Sequence, residues 1–255
     1  MCALSADELL LAYSYGPLGL RAVSLRSDDA GEAVYESIAL RHVHHVAYDA
    51  HTDTLLLLMR TPNAEYLQLV SLPRNAREWV EVQRLDTAPR GFNFHMALCD
   101  SRVLLIGGIE DTLSVFNVSA SHILHDAGRL HLQSRAYGLA CSGRGGDTLV
   151  ALSYRSSVSL QRLASLPLRL EQLASAYFTH PQDLLFRGDL LLVAPWNSIT
   201  RTDVIASLRV SGNAFTEQRV LLDAQAGVIY FQWAIAGDRL VLSNWNDDLL
   251  VYNFI

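Results

Sequence analysis

The chain has 255 residues, of which 50% are hydrophobic and 18% are charged, a composition that favours a well-packed globular fold over disorder. Its 20 basic and 26 acidic residues are scattered along the sequence and give a net charge of −6. Because there is no basic tail or run, direct binding of nucleic acid is a poor first hypothesis.

The N-terminal segment, residues 1–8, lacks the basic region of a signal peptide and already carries two acids. The longest apolar runs, such as residues 55–59, have the length of a strand and are too short to span a bilayer. The three cysteines, Cys2, Cys99 and Cys141, are far apart and odd in number. This usage predicts reduced thiols and a cytoplasmic or nuclear location.

A short pattern recurs along the whole chain: an acidic turn residue followed by an apolar run. The aspartates of this pattern are spaced by 46, 47, 47, 42 and 49 residues. They are Asp7, Asp53, Asp100, Asp147, Asp189 and Asp238. Six copies at a nearly constant interval indicate an internal repeat, which is typical of a repeat architecture.

Each interval holds four segments of strand length, here named strands a to d, with the aspartate in the turn between a and b. The apolar run of strand b predicts a strand that is covered on both faces. Later segments, such as residues 66–70 and 158–163, alternate with period 2, as expected of strands nearer an exposed edge. Residues 163–177 are the one stretch that could also be helical, and we assign them to strand d of the fourth repeat.

Four strands in about 40–50 residues are typical of one blade of a β-propeller. The sequence therefore predicts an all-β fold, a β-propeller of about six four-stranded blades in a single domain over residues 1–255. The last blade is expected to lack its outer strand, because only 15 residues follow Leu240.

The last repeat, residues 237–254, resembles a WD40 repeat. Tyr252-Asn253 stands where that family has Trp-Asp at the end of strand c, and Phe116-Asn117 in the third repeat is comparable. No repeat carries the family's Gly-His pair. The resemblance is to a broad and divergent WD40-like superfamily, so it implies the propeller fold and no particular function.

The last predicted strand, residues 249–255, contains neither lysine nor proline, two residues that protect exposed edge strands from pairing. Two interpretations stay open. The blade has three strands and tolerates its open edge, which we favour, or a partner adds a strand alongside Leu249, Val251 and Phe254.

The loops from strand d to a and from b to c are expected on one face of a propeller. Aromatic and arginine residues, which dominate binding hot spots, recur in these loops. The predicted partner-binding residues are Tyr15, Arg60, Arg90, Phe92, Arg135, Tyr154, Arg155, Trp196, Asn197, Tyr230, Trp245 and Asn246. Packing between blades would account equally well for some of them.

Catalytic and metal sites are the weaker interpretations. The segment His42-Val43-His44-His45 has no cysteine or carboxylate at ligand spacing beside it. All basic residues are arginine, which excludes a Schiff-base or phosphate-loop lysine. Some six-bladed propellers are calcium-dependent lactonases or esterases, which place Glu, Asn and Asp at the starts of strands a. In this sequence only Asn93 and Asp183 match that arrangement.

The sequence therefore favours a non-catalytic protein–protein interaction module, or a scaffold subunit of a multiprotein complex. No catalytic residue, cofactor or metal is assigned, and no membrane contact is expected. Two alternatives stay open: a metal-dependent hydrolase of lactonase or esterase type, and a nucleic-acid-associated subunit. Metal retained on purification would favour the first, and strongly salt-dependent nucleic-acid binding would favour the second.

Overall fold

The computed structural model describes most of the chain: residues 2–3, 5–12, 20–26, 33–37, 43–49, 54–60, 65–71, 80–86, 95–107, 111–119, 123–144, 147–195, 204–223, 230–244 and 249–253. These residues form antiparallel β-strands and contain no helix that could span a membrane.

The strands form six sheets, here called blades one to six, and in each sheet the strands pair in chain order. Blade one contains β1 (Cys2–Ala3), β2 (Glu8–Ala12), β3 (Leu20–Ser24) and β4 (Ala33–Ser37), and blade two contains β5 (Val43–Asp49), β6 (Thr54–Arg60), β7 (Glu65–Ser71) and β8 (Val80–Asp86). Blade three contains β9 (His95–Cys99), β10 (Arg102–Ile106), β11 (Thr112–Val118) and β12 (Leu124–His131), and blade four contains β13 (Gly138–Arg144), β14 (Asp147–Tyr154), β15 (Ser157–Ser165) and β16 (Leu168–Tyr177). Blade five contains β17 (Pro181–Arg187), β18 (Leu190–Pro195), β19 (Val204–Ser211) and β20 (Ala214–Asp223), and blade six contains β21 (Tyr230–Ala236), β22 (Arg239–Asn244) and β23 (Leu249–Asn253).

The predicted fold class is confirmed: within the described residues there are five four-stranded sheets and a last sheet of three strands. The assignment of residues 163–177 to strand rather than helix is also correct, although a turn after Ser165 divides the stretch between β15 and β16. The chain divides into two compact units. Unit 1 contains blades one, two and six, and unit 2 contains blades three, four and five. The single domain over residues 1–255 stays a prediction.

Strand b of each blade is apolar because both of its faces are covered. In unit 2, Leu149 and Ala151 of β14 pack in a cluster with blade five, whereas Val150 and Leu152 pack in a cluster with blade three. In unit 1, Leu9 of β2 packs towards blade six and the adjacent Leu10 towards blade two. Successive strand residues point to opposite faces, so a strand between two neighbouring sheets must be apolar at every position.

Blade six is joined to blade one by a buried cluster and by one arginine. Arg239, the first residue of β22, donates hydrogen bonds from Nη1 to the Leu25 carbonyl at 2.8 Å and from Nη2 to Asp7 Oδ1 at 2.6 Å and to the Ala6 carbonyl. Arg102, the first residue of β10, bridges blades three and four in the same way through the hydroxyl oxygens of Thr148 and Ser165.

The prediction of three reduced thiols is wrong for two of them. Cys99 at the end of β9 and Cys141 in β13 form a disulfide, with their Cα atoms 5.7 Å apart. They are 42 residues apart, which is about one repeat, so the fold places them on strands a of adjacent blades. Cys2 is free, and burial raises the pKa of its thiol to about 12. The cysteines therefore no longer support a cytoplasmic or nuclear location, which stays a prediction.

Candidate functional site

A recess of about 420 Å³ lies in unit 2 between blades three and four. One wall is the end of β12 and the loop after it, residues 131–134, and another is the turn between β14 and β15 with its flanking strand ends, residues 154–157. Side chains of β15 and β16 complete the lining. The volume lies within the range of about 300–1,000 Å³ that is usual for ligand pockets.

The floor of the recess is polar and buried. Ser159 and Gln161 of β15 are only 4% and 8% exposed, and Gln161 Nε2 donates a hydrogen bond to Ser159 Oγ at 3.1 Å. Tyr154 at the end of β14 forms a side-chain hydrogen bond with Gln161. Burial raises the pKa of Tyr154, and the Asp111 carboxylate adds to this effect while the Gln161 bond opposes it, so the phenol stays protonated at neutral pH.

This floor adds detail to one sequence interpretation. The alternation along residues 158–163 predicts a strand nearer an exposed edge, and β15 lies beside the outer strand β16. Val158 and Leu160 enter the cluster with blade five, and Ser159 and Gln161 are buried on the opposite face of the strand. A period-2 pattern therefore located the two faces correctly but could not show that blade three covers the polar one.

The rim of the recess carries exposed arginines and a half-buried tyrosine, and backbone hydrogen bonds hold its loops in place. Arg155 is exposed, and its carbonyl accepts a hydrogen bond from the His180 N–H at 3.2 Å. Tyr137 N–H donates to the Ser153 carbonyl at 2.8 Å, which ties the loop before β13 to the end of β14. In that loop Arg135 lies over the Tyr137 ring, with its Cζ 5.6 Å from the ring centroid, in a cation–π contact.

The structure brings together three of the predicted partner-binding residues. Tyr154 and Arg155 line the recess, and Arg135 lies in the loop beside it. Arg60 ends β6 and Tyr230 begins β21, at the strand ends where the b-to-c and d-to-a loops were expected. The remaining predicted residues of this face lie outside the described residues: Tyr15, Arg90, Phe92, Trp196, Asn197, Trp245 and Asn246.

At the predicted edge, Leu249 and Val251 lie in β23, and Phe254 lies outside the described residues. β23 pairs with β22 on one side, and no described strand pairs with its other side. Val251 is 46% exposed, a large value for an apolar side chain in a strand.

A second polar feature lies at the starts of strands a in unit 2. His95 begins β9 and Asp183 is the third residue of β17, and His95 Nδ1 is 3.3 Å from Asp183 Oδ1. Strand β13 runs beside both strands, and its first residue is Gly138. A Cβ atom on Gly138 would overlap the carbonyl oxygen of Gln182, so the glycine permits close approach of β17.

Sequence reasoning found Asp183 but missed His95, Ser159 and Gln161. His95 begins the strand that precedes Asp100, so repeat alignment alone would have placed it near the start of strand a. The part of the chain that the structure describes contains no group of three His, Cys, Asp or Glu side chains close enough to hold an ion. His44 and His45 instead make an edge-to-face contact, with ring centroids 5.2 Å apart.

No protein-family model and no curated protein matches the sequence. Solved structures do match in fold. A protein described as a putative 6-phosphogluconolactonase from Bacteroides fragilis has a TM-score of 0.66 at 10% identity, with 97% of this chain and 77% of that chain covered. A chain of a nidogen/laminin complex has a TM-score of 0.65 at 13% identity, with coverages of 97% and 89%. Hsv2 from Kluyveromyces lactis has a TM-score of 0.57 at 10% identity, with coverages of 99% and 71%.

This chain is a β-propeller. The similar structures are propellers, and at 10–13% identity they show the fold of this propeller alone. Their described roles differ from one another, so a function for this propeller must be argued from its own side chains.

Proposed function

We propose that this propeller is a protein-binding module that receives a segment of a partner protein in the recess of unit 2. The observation that carries the proposal is the position of Tyr154 and Arg155 at a polar recess of about 420 Å³. The exposed Arg135 and the half-buried Tyr137 lie in the loop next to it and extend its basic and aromatic surface. Tyr and Arg bury a large contact area at a modest cost in entropy, and they are enriched at binding hot spots.

The lining of the recess is suited to binding. Its described residues include hydroxyl and amide side chains and one permanent charge, that of Arg155. Burial raises the pKa of Tyr154, so its phenol acts as a neutral hydrogen-bonding group. Hydrogen bonds and a fixed charge are what a binding site requires.

The test is affinity capture from native extract with tagged chain, followed by reconstitution of any captured protein from purified components. The Tyr154→Phe/Arg155→Ala double variant should lose the partner, whereas Arg169→Ala, which removes an exposed arginine of the same blade outside the recess, should retain it. A separate Val251→Pro variant tests strand addition at β23. Retention of the partner by the double variant, with melting temperatures unchanged, would contradict binding at the recess.

A hydrolase is the second candidate, and the His95–Asp183 pair is the observation that favours it. In this candidate reaction His95 would keep its Nδ1 proton in a hydrogen bond to Asp183 and take a proton from a water molecule at Nε2. The water oxygen would bond to the carbonyl carbon of an ester or lactone, the acyl C–O bond would break, and the proton would pass from Nε2 to the departing alkoxide.

Purified chain assayed on p-nitrophenyl acetate and on a δ-lactone tests this candidate. His95→Gln and Asp183→Asn should each lower the rate by about 10²-fold or more, the usual contribution of a positioned general base. A wild-type rate equal to the buffer rate, or variants that keep the wild-type rate, would refute it.

A further inference from the structure

The polar groups of the recess favour a ligand that accepts hydrogen bonds. Gln161 Nε2 donates to Ser159 Oγ, so Ser159 acts as acceptor in that bond and its own hydroxyl proton is available to a ligand. Gln172 and Ser175 of β16 face the same space and are exposed. The recess therefore presents several hydroxyl and amide donors around a buried floor.

The charge of the lining points in the same direction. Among the described residues that line the recess, Arg155 is the one permanently charged side chain, and none is Asp or Glu. The Asp111 carboxylate acts on the half-buried Tyr154, whose pKa it helps to raise. The chain as a whole carries a charge of −6, but charges more than about 10 Å away are largely screened at 0.1 M salt.

We infer that the recess selects an acidic side chain, Asp or Glu, within an extended segment of the partner. The carboxylate pairs with the guanidinium of Arg155, and the neighbouring serine and glutamine side chains donate to its second oxygen and to the peptide carbonyls of the segment. Arginine binds carboxylates with two parallel hydrogen bonds, which gives direction as well as charge. This inference rests on the proposed function and adds the chemistry of the bound segment.

The volume agrees with this ligand. About 420 Å³ exceeds the space of one carboxylate side chain, and it accommodates that side chain together with the adjoining backbone of a short segment. A bare basic patch for nucleic acid would need several arginines, because each phosphate contact adds its own charge. The described lining of the recess contains one arginine, Arg155.

The experiment uses ¹⁵N-labelled full-length chain titrated with three capped hexapeptides that differ only at two central residues: two glutamates, two glutamines or two lysines. The glutamate peptide should shift the amide resonances of residues 154–161 and 170–175, with a dissociation constant that rises with salt. The glutamine peptide should bind about tenfold more weakly, because its amide keeps one acceptor oxygen but loses the second acceptor and the charge.

Matched variants separate recess chemistry from loss of structure. Arg155→Ala should abolish the difference between the glutamate and glutamine peptides, and Arg155→Lys should restore part of it, because lysine keeps the charge without the paired hydrogen bonds. Arg169→Ala should behave as wild type. Equal binding of the glutamate and glutamine peptides, or the absence of any shift in the recess, overturns the inference. If either result is obtained and the Tyr154→Phe/Arg155→Ala variant still loses the captured partner, the preference for an acidic side chain is wrong and the proposed binding of a partner in the recess stands.

Discussion

Replacement of Arg239 by alanine tests how blade six, which has three strands among the described residues, is held against blade one. The arginine side chain is 23% exposed and reaches three acceptors of blade one: the carbonyls of Ala6 and Leu25, and the carboxylate of Asp7. Leu25 itself is 7% exposed and belongs to the apolar cluster that joins these two blades. The substitution therefore removes every polar contact that this side chain makes across the interface.

The magnitude follows from the exposure of each acceptor. The Leu25 carbonyl lies at a buried residue, so losing its charged donor costs about 1–2 kcal/mol. Ala6 is exposed and regains water, and Asp7 is 48% exposed, so together these two contacts add only about 1 kcal/mol. We expect a total loss of about 2–3 kcal/mol, which for a chain of this size lowers the melting temperature by about 5–10 °C.

Calorimetry or circular dichroism at constant scan rate measures the change, with two controls in parallel. Asp7→Asn removes only the ion pair and should lower the free energy of unfolding by less than about 1 kcal/mol. Arg219→Ala removes an arginine that is 68% exposed and paired with Glu217, and should leave the melting temperature unchanged. If Arg239→Ala melts at the same temperature as Arg219→Ala, the arginine does not hold these blades together and the reasoning is refuted.

Three further substitutions test the packing of unit 2. Gly138→Ala should lower the free energy of unfolding by about 1–3 kcal/mol, because its Cβ meets a backbone carbonyl that cannot move aside; an unchanged melting temperature would contradict the close approach. The double substitution Cys99→Ser/Cys141→Ser should lower the free energy of unfolding by about 2–4 kcal/mol, because the unfolded chain is no longer constrained by a crosslink over 42 residues. Mass spectrometry without reductant should detect the crosslink in the wild-type chain. Leu152→Ala, at a fully buried position, should lower the free energy of unfolding in urea by about 2–5 kcal/mol. Val220→Ala, at a position that is 64% exposed, should change this free energy little.

The fold was predictable from the sequence because its determinants are local and repeated. An aspartate turn, an apolar strand and two alternating strands recur about every 46 residues, and each copy corresponds to one sheet among the described residues. The apolar run of β14 shows this directly: alternate residues enter different clusters, so the run marks a strand between two sheets. Six independent copies of one pattern make the interpretation robust against irregularity in any single repeat.

The candidate site was only partly predictable, because it depends on which repeats are neighbours in space. Tyr154 and Arg155 were found from residue type and loop position, but the depth of the recess beneath them comes from blade three covering Ser159 and Gln161. The partners His95 and Asp183 are 88 residues apart and belong to different blades. No local sequence pattern encodes such a pair. The 42-residue interval between Cys99 and Cys141, by contrast, is close to the repeat length and could have indicated that these two cysteines are neighbours.

Arg102 and Arg239 occupy the same position in two repeats and make the same kind of contact with a neighbouring blade. Each begins strand b and pairs with the last residue of strand a, Cys99 in one blade and Ala236 in the other. From that equivalent position each guanidinium reaches the start of strand b in the next blade, at Thr148 or beside Asp7. The other blades begin strand b with Glu8, Thr54, Asp147 and Leu190, so the contact is a property of two repeats and not of the repeat pattern. In blade six it joins the C-terminal sheet to the N-terminal one, where no described outer strand is present to add to the interface.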